Sequence, residues 1–215
     1  MFGMMAEENL RCLDFPMGQF LKRTADIFIS LAILLLLSPL LLVLAAWIAI
    51  SSPGPIFFRQ ARLGRKGKPF QILKYRTMVV NAPDLRNPDG SAFSGDQDPR
   101  VTKPGRLLRA TSLDEIPQFF NVLKGEMSLV GPRPDLVDQL QYYTDDERKK
   151  LNVKPGITGL AQISGRNSIS WADRKKLDIQ YVQTWSLWQD FVICLKTVPY
   201  VLLRRDVNAT PGESK

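Results

Sequence analysis

Hydrophobic residues are unevenly spread along this chain. No charged residue occurs from Ile27 to Ile50, and the stretch "AILLLLSPLLLVLAAWIAI" (32–50) carries Ser38 and Pro39 near its middle. An uncharged run of that length is enough for one transmembrane helix. "SSPGP" (51–55) then breaks any helix. Apolar runs at Ile56–Phe58 and Phe70–Leu73 flank a basic segment containing Gly64 and Gly67, which reads as a β-hairpin. Asn81–Pro99, rich in Pro, Gly, Asp and Asn, reads as a loop. Helical patterning returns at Arg106–Arg109 and at Leu113–Lys124, closed by Gly125. "GEMSLVGPRP" reads as a tight loop, Asp135–Tyr143 and Asp145–Leu151 as short helices, and "VKPGITGLAQISGRN" as a glycine-punctuated loop. Trp171–Gln183 and Ser186–Leu203 close the chain as helices, and the tail (206–215) is expected to be disordered. In the last helix, Trp188, Phe191, Val192, Leu195, Val198 and Leu202 fall on roughly one face. With Trp185 and Trp188, that face suits a membrane interface or, equally, a protein core.

Pro39 changes how the long run is read. It lacks an N–H, and its ring collides with the carbonyl of Leu35, so a kink is expected. The Ser38 hydroxyl can satisfy a freed carbonyl. Each half is then roughly 12 residues, or about 18 Å of helix, against ~30 Å of hydrocarbon. Basic residues flank both ends: Lys22 and Arg23 before, and Arg59, Arg62, Arg65, Lys66 and Lys68 after. Positive flanks favour the cytoplasmic side, so a re-entrant helix bent at Ser38 and Pro39 satisfies both ends, where a kinked crossing helix satisfies one.

Composition narrows the chemistry. The chain of 215 residues has 29 Lys+Arg, 21 Asp+Glu and a formal charge of +8, which suits an anionic partner. It has no histidine, which excludes Ser-His-Asp and Cys-His nucleophile schemes and HExxH zinc sites. Cys12 and Cys194 match no metal-ligand spacing and imply no disulfide framework; both are expected to be free thiols. Glu7, Glu8, Arg11 and Asp14 argue against a signal peptide, so the apolar run is expected to be retained. There is no internal repeat and no low-complexity tract. A basic interfacial protein binding nucleic acid or anionic lipid is disfavoured, because few aromatics interleave with the arginines and no nucleic-acid motif occurs.

The candidate chemistry lies in "RATSLDEIPQFFNVLKGEMSLVGPRP" (109–134). Asp114 and Glu115 are adjacent carboxylates at a helix start. Ser112 and Glu115 match a capping box, and Asp114 suits the helix dipole, so both have a structural explanation. The arginines around them point elsewhere. Arg106 and Arg109 lie just upstream, Arg133 is held between Pro132 and Pro134, and Arg166 lies in a glycine-bounded loop. Arginine forks suit phosphate oxygens. An ionised carboxylate can then attack a phosphoryl group whose charge the arginines neutralise. A second carboxylate can hold Mg²⁺, which takes few protein ligands and bridges to substrate phosphates.

Together, "TSLDEIPQFFNVLKGEMSLVGPRP", "KYRTM", "VKPGITGLAQISGRN" and the Ser38-Pro39 segment resemble the small, monotopic polyprenyl-phosphate phosphoglycosyl transferases, or bacterial sugar transferases. The resemblance runs from roughly Phe20 to Arg205 and is to the short form, without additional N-terminal membrane helices. It implies transfer of a sugar phosphate from a UDP-sugar to undecaprenyl phosphate at the cytoplasmic face of the bacterial inner membrane, with release of UMP, as the first step of glycan assembly. It further implies Asp114 as nucleophile in a ping-pong scheme, Glu115 helping Asp114 to place Mg²⁺, and Arg109, Arg133 and Arg166 near the phosphates. Lys74 and Arg76 of "KYRTM" are weaker candidates, for which solvated charge or lipid-headgroup contact serves as well. A non-catalytic anchor of the same fold, recruiting downstream glycosyltransferases, is the alternative; intact Asp114, Glu115 and Arg133 speak against it. The expected fold is α+β and mostly helical, with a re-entrant membrane helix, interfacial amphipathic helices and a small β-hairpin or sheet. The expected organisation is an N-terminal segment (1–19), the membrane helix (20–50), a cytoplasmic interfacial catalytic domain (51–205) and the tail (206–215).

Overall fold

The computed structural model describes residues 16–85, 98–165 and 168–203. Cys12, Arg166, the tail and most of the expected 81–99 loop lie outside the described residues. The chain is mostly helical with two small sheets.

Helix α1 spans Pro16–Ser51 without interruption and contains Pro39. Ser38 Oγ donates to the Leu35 carbonyl at 2.8 Å, so the compensation expected from the sequence is present. By length and composition α1 could cross a membrane. Its middle is largely uncovered: Leu35, Leu36, Leu42 and Val43 are exposed, Leu36 at 79%.

Both ends of α1 are tied to the domain that follows. At the start, Lys22 Nζ donates to Asp190 Oδ2 (2.5 Å) and to the Val130 carbonyl (3.0 Å). Arg23 donates to the carbonyls of Val122 and Leu123 at 2.6 and 2.9 Å. Asp26 Oδ1 accepts from the Leu129 amide at 3.1 Å. At the far end, Leu44 and Ile48 are buried with Tyr75 and Leu108. Tyr75 donates its hydroxyl to the Leu41 carbonyl (2.8 Å), and Arg76 donates to the carbonyls of Ser52 (2.8 Å) and Pro53 (2.5 Å). Arg23 thus serves two carbonyls in the last turn of the helix that Gly125 closes, and Arg76 serves the two that follow α1.

The hairpin forms as expected, with longer strands. β1 (Phe57–Leu63) pairs antiparallel with β2 (Pro69–Tyr75), from Phe57 opposite Tyr75 to Leu63 opposite Pro69. Lys66 (φ 59°) and Gly67 (φ 72°) make the turn.

Helix α2 spans Lys103–Thr111, with Thr102 accepting from the Gly105 amide as its cap. A Cβ on Gly105 would lie 2.0 Å from the Thr77 carbonyl, so this position admits only glycine and pins α2 to the strand exit. The helix expected over Leu113–Lys124 is instead two pieces: a 3₁₀ turn at Leu113–Glu115 and helix α3 at Gln118–Lys124. Pro117 accounts for the break, having no N–H to continue the ladder from Leu113. The expected capping box is also absent. Ser112 ends α2 in the left-handed region (φ 57°), and its side chain makes no capping hydrogen bond. Gly125 closes α3 at φ 85°, as its sequence position suggests.

The two glycine-rich loops are more ordered than their composition indicates. They contain β3 (Ser128–Val130) and β4 (Gly156–Thr158), paired in parallel, and the short helix α4 (Leu160–Ile163). A Cβ on Gly156 would lie 2.1 Å from the Gly131 nitrogen; the glycines are there to let backbones meet. The two short helices expected next are 3₁₀ segments, Val137–Tyr142 and Glu147–Asn152.

Helices α5 (Trp171–Gln183) and α6 (Leu187–Leu202) complete the fold, each capped by a serine, Ser170 and Ser186. On α6, Ile193 and Asp190 are buried, while Trp188 (71%), Phe191, Leu195 and Val198 are exposed. The apolar stripe is therefore not a core face. Trp185 departs from the expected pairing with Trp188: it is buried beside Tyr181 and Val182, and its indole N–H donates to Asp190 Oδ2 at 3.1 Å.

Candidate active site

Asp114 and Glu115 occupy the 3₁₀ turn between α2 and α3. The left-handed Ser112 on one side and Pro117 on the other hold this turn short, which directs both carboxylates inward. Asp114 is buried and Glu115 half-buried. Lys74, from β2, places Nζ 2.6 Å from Glu115 Oε1. Arg133, from the segment after β3, donates to the same oxygen at 3.2 Å. Arg109, on the last turn of α2, donates Nε to Thr77 Oγ1 at 3.0 Å. Its charge also acts on Asp114.

Burial pushes the Asp114 carboxyl up to about 6, and Glu115 adds repulsion; Lys74, Arg109 and Arg133 oppose the rise. Glu115 holds the Arg133 guanidinium above its ordinary value despite burial. Burial lowers Arg109, with Asp114 acting against that. The result is a carboxylate that titrates near neutrality within reach of three cations, a combination associated with functional sites.

The dyad lies on the wall of a cavity of about 1120 Å³, at or above the ~300–1,000 Å³ of common small-molecule pockets. Lys74, Arg76, Arg109 and Arg133 also line it. The structure thus brings together Asp114, Glu115, Lys74, Arg109 and Arg133. Arg106 is exposed on α2. Arg76 touches the cavity, but its guanidinium is bonded to the Ser52 and Pro53 carbonyls. Arg166 lies outside the described residues.

One cluster beside the site was not legible in the sequence. Lys150, only 3% exposed, donates to Asp178 Oδ2 (2.6 Å), Asp135 Oδ2 (2.8 Å) and the Arg133 carbonyl (3.3 Å). The Tyr143 hydroxyl donates to Asp135. Burial raises Asp178 to about 6, against the pull of Lys150. Burial also opposes ionisation of Asp135, but Lys150 and the Tyr143 hydroxyl more than offset it, and Asp135 lies below its ordinary value. This group fixes the backbone that carries Arg133. The Gln162 carboxamide and the Trp171 indole N–H were missed as well; both are buried, line the cavity and have no hydrogen-bond partner among the described residues. Gln162 sits in the quoted motif "GLAQISG", but nothing in that pattern marks it as polar lining.

Two carboxylates at adjacent positions, with phosphates and water completing the shell, fit the sparse protein ligation of Mg²⁺. Among the described residues, no group of three or more His, Cys, Asp or Glu converges to form a fuller metal cage.

Comparison with known proteins places the chain in a family. Residues 17–204 match the family described as bacterial sugar transferase. The chain is 46% identical over 201 residues to the undecaprenyl-phosphate galactose phosphotransferase of Salmonella typhimurium, covering 88% of this chain and 42% of that protein. It is 43% identical over 201 residues to the exopolysaccharide production protein ExoY of Rhizobium meliloti, covering 88% and 89%. It is 46% identical over 191 residues to the UDP-glucose:undecaprenyl-phosphate glucose-1-phosphate transferase of Caulobacter vibrioides, covering 84% and 69%. The chain spans less than half the length of the Salmonella relative and most of the Rhizobium one. It belongs to the bacterial sugar transferase family and is a transferase.

Proposed function

We propose that the protein transfers a sugar 1-phosphate from a UDP-sugar to undecaprenyl phosphate and so begins the assembly of a bacterial glycan such as an exopolysaccharide. The observation that carries this reading is Asp114, buried beside Glu115 and facing Lys74, Arg109 and Arg133 on the wall of a large cavity. Relatives are named for galactose or glucose phosphate transfer to the same lipid.

In this scheme an Asp114 carboxylate oxygen attacks the β-phosphorus of the donor. The bond between that phosphorus and the bridging oxygen breaks, and UMP leaves with the electron pair. Arg109, Arg133 and Lys74 neutralise the phosphoryl oxygens that would repel the incoming carboxylate. A phosphate oxygen of undecaprenyl phosphate then attacks the aspartyl-bound phosphorus, and the Asp114 carboxylate is released. Asp114 and Glu115 would hold Mg²⁺, which supplies charge neutralisation at the donor phosphates.

The chemistry favours a same-side return of α1. UDP-sugars are cytosolic, so the domain after Ile50 belongs at the cytoplasmic face. Lys22, Arg23 and Asp26 bond to that same domain, as do Leu44 and Ile48 through packing. On a straight helix, residues 23 and 48 would stand about 37 Å apart, more than the ~30 Å of hydrocarbon that would then separate them. A bend at Ser38-Pro39 removes the conflict.

The test incubates the purified chain with labelled UDP-sugars, Mg²⁺ and undecaprenyl phosphate. Lipid-linked sugar phosphate and UMP are the expected products. Normal turnover by Asp114→Asn would reject the covalent step.

A further inference from the structure

The cavity has a second character away from the charged dyad. Phe57 and Phe58 on β1, and Val79, Val80 and Leu85 after β2, all line it, and all five are exposed. Large apolar side chains exposed together along a cavity wall mark a binding surface rather than ordinary surface scatter. Their position is specific. Phe58 stands opposite Lys74 in the hairpin, so the two share a sheet face, and Lys74 is bonded to Glu115. Phe57 stacks on Tyr75 with centroids 5.4 Å apart, and the Tyr75 hydroxyl is bonded to the Leu41 carbonyl of α1. Val80 lies over Gly54, where an added Cβ would meet Val80 Cγ2 at 2.5 Å. Phe57 and Phe58 project to opposite faces at the open end of β1, and both line the cavity, so its apolar arm wraps this strand end between the dyad and the exit of the apolar helix.

We infer that this arm seats the first isoprenoid units of the lipid acceptor, with its phosphate directed at Asp114. The inference rests on the transfer reaction proposed above. The occupant follows from continuity: one end of the arm holds the reacting carboxylate and cations suited to a phosphate, and the other adjoins α1, whose exposed leucines require an apolar surrounding. A ligand that is anionic at one end and branched hydrocarbon beyond it fits both. In the second half-reaction the acceptor's phosphate oxygen forms the new bond to phosphorus, the bond to the Asp114 oxygen breaks, and the carboxylate is regenerated. The arm holds the chain and takes no part in that bond exchange.

The two half-reactions allow a direct test on the full chain in nanodiscs, with Phe58→Ser and Val80→Ser. Without acceptor, UDP-sugar is expected to release UMP once per active site in the wild type and in both variants. With undecaprenyl phosphate, kcat/KM is expected to fall about tenfold or more in each variant, the scale of a lost apolar pocket contact. Flotation with anionic vesicles should not change. A photoreactive isoprenyl phosphate should crosslink to the wild type at β1 and the segment after β2. Unchanged lipid transfer, lost flotation or crosslinks confined to the exposed face of α6 would each overturn the inference. If a variant fails to fold, the wild-type crosslink decides alone. If the wild type neither releases UMP nor transfers sugar phosphate, the proposed reaction fails, and the crosslink still reports whether the arm holds an isoprenoid chain.

Discussion

Lys74 Nζ lies 2.6 Å from Glu115 Oε1, and the two side chains arrive from a hairpin strand and a 3₁₀ turn 41 positions apart. Lys74 is also the strongest charge opposing the burial-driven rise of Asp114. Removing it should act on both carboxylates. In Lys74→Met, Glu115 loses that ion pair and keeps the Arg133 contact, and the Asp114 carboxyl should titrate higher than in the wild type. The rate of UMP release is expected to fall on the order of 10–100-fold, and the acidic limb of the pH–rate profile should move to higher pH. Lys74→Arg should restore part of both. A rate loss with an unmoved profile would mean that Lys74 does not tune Asp114.

Asp114 itself sets opposed requirements for activity and stability. Its carboxyl is raised from an ordinary 3.8 to about 6, chiefly by burial. The native state therefore favours the protonated form. Its stabilising contribution is complete below the unfolded value and is lost as pH rises through about 6. As the proposed nucleophile, however, Asp114 must be ionised. Activity should therefore rise with pH through about 6 while this site becomes less stable. Asp114→Asn should abolish turnover yet stabilise the fold at neutral pH by roughly 1–3 kcal/mol, with the gain disappearing below pH about 4. Denaturant titrations of both proteins at the two pH values would check this.

Lys150 is a structural cation beside the Asp114–Glu115 cavity. It bonds to Asp135, Asp178 and the Arg133 carbonyl from a buried position. Lys150→Met would leave two buried carboxylates without their cation, a change that costs about 3–5 kcal/mol in comparable sites. A matching drop in denaturation midpoint is expected, accompanied by weaker binding of UDP-sugar as Arg133 loses one of its backbone anchors. Asp178→Asn should be milder, because Asp178 already titrates near 6.

The elements that local pattern predicts are those whose stability is local. α1, the hairpin and the two last helices follow from an uncharged run, alternating turns and serine caps. The β3–β4 pair does not, because its strands are three residues long and its glycines serve a contact between backbones 25 or more positions apart. The capping-box pattern at Ser112 and Glu115 misleads for a similar reason. Lys74 and Arg133 arrive from distant elements and engage the carboxylate that local rules assign to a helix cap. The same holds for Trp185, whose partner Asp190 is fixed by the Lys22 ion pair across 168 positions. Asp114 and Glu115 were legible as a pair with nearby arginines; that Lys74 rather than Arg76 joins them depended on strand register. Residues two apart share a face along a strand, but β2 ends at Tyr75, so Lys74 points to the dyad while Arg76, beyond the strand, turns to the end of α1.

The path of α1 through the bilayer is open to a chemical test. Met17 is exposed at its start and Ser51 at its end. With Cys12 and Cys194 replaced by serine, single cysteines at Met17→Cys and Ser51→Cys would be probed in intact cells with a membrane-impermeant maleimide. The contacts of Lys22 and Arg23 at one end and of Leu44 and Ile48 at the other lead to one domain. Both labels should therefore be protected until the inner membrane is permeabilised. Labelling of Met17→Cys alone from outside would mean that α1 crosses. The Lys22–Asp190 and Arg23–Val122 bonds, 2.5 and 2.6 Å long, would then not form in the membrane-bound protein. Asp190→Ala gives an independent check. Loss of the ion pair should loosen the N-terminal end of α1 and raise modification of Met17→Cys in detergent by several-fold, with little change at Ser51→Cys, because Tyr75 and Arg76 hold that end separately.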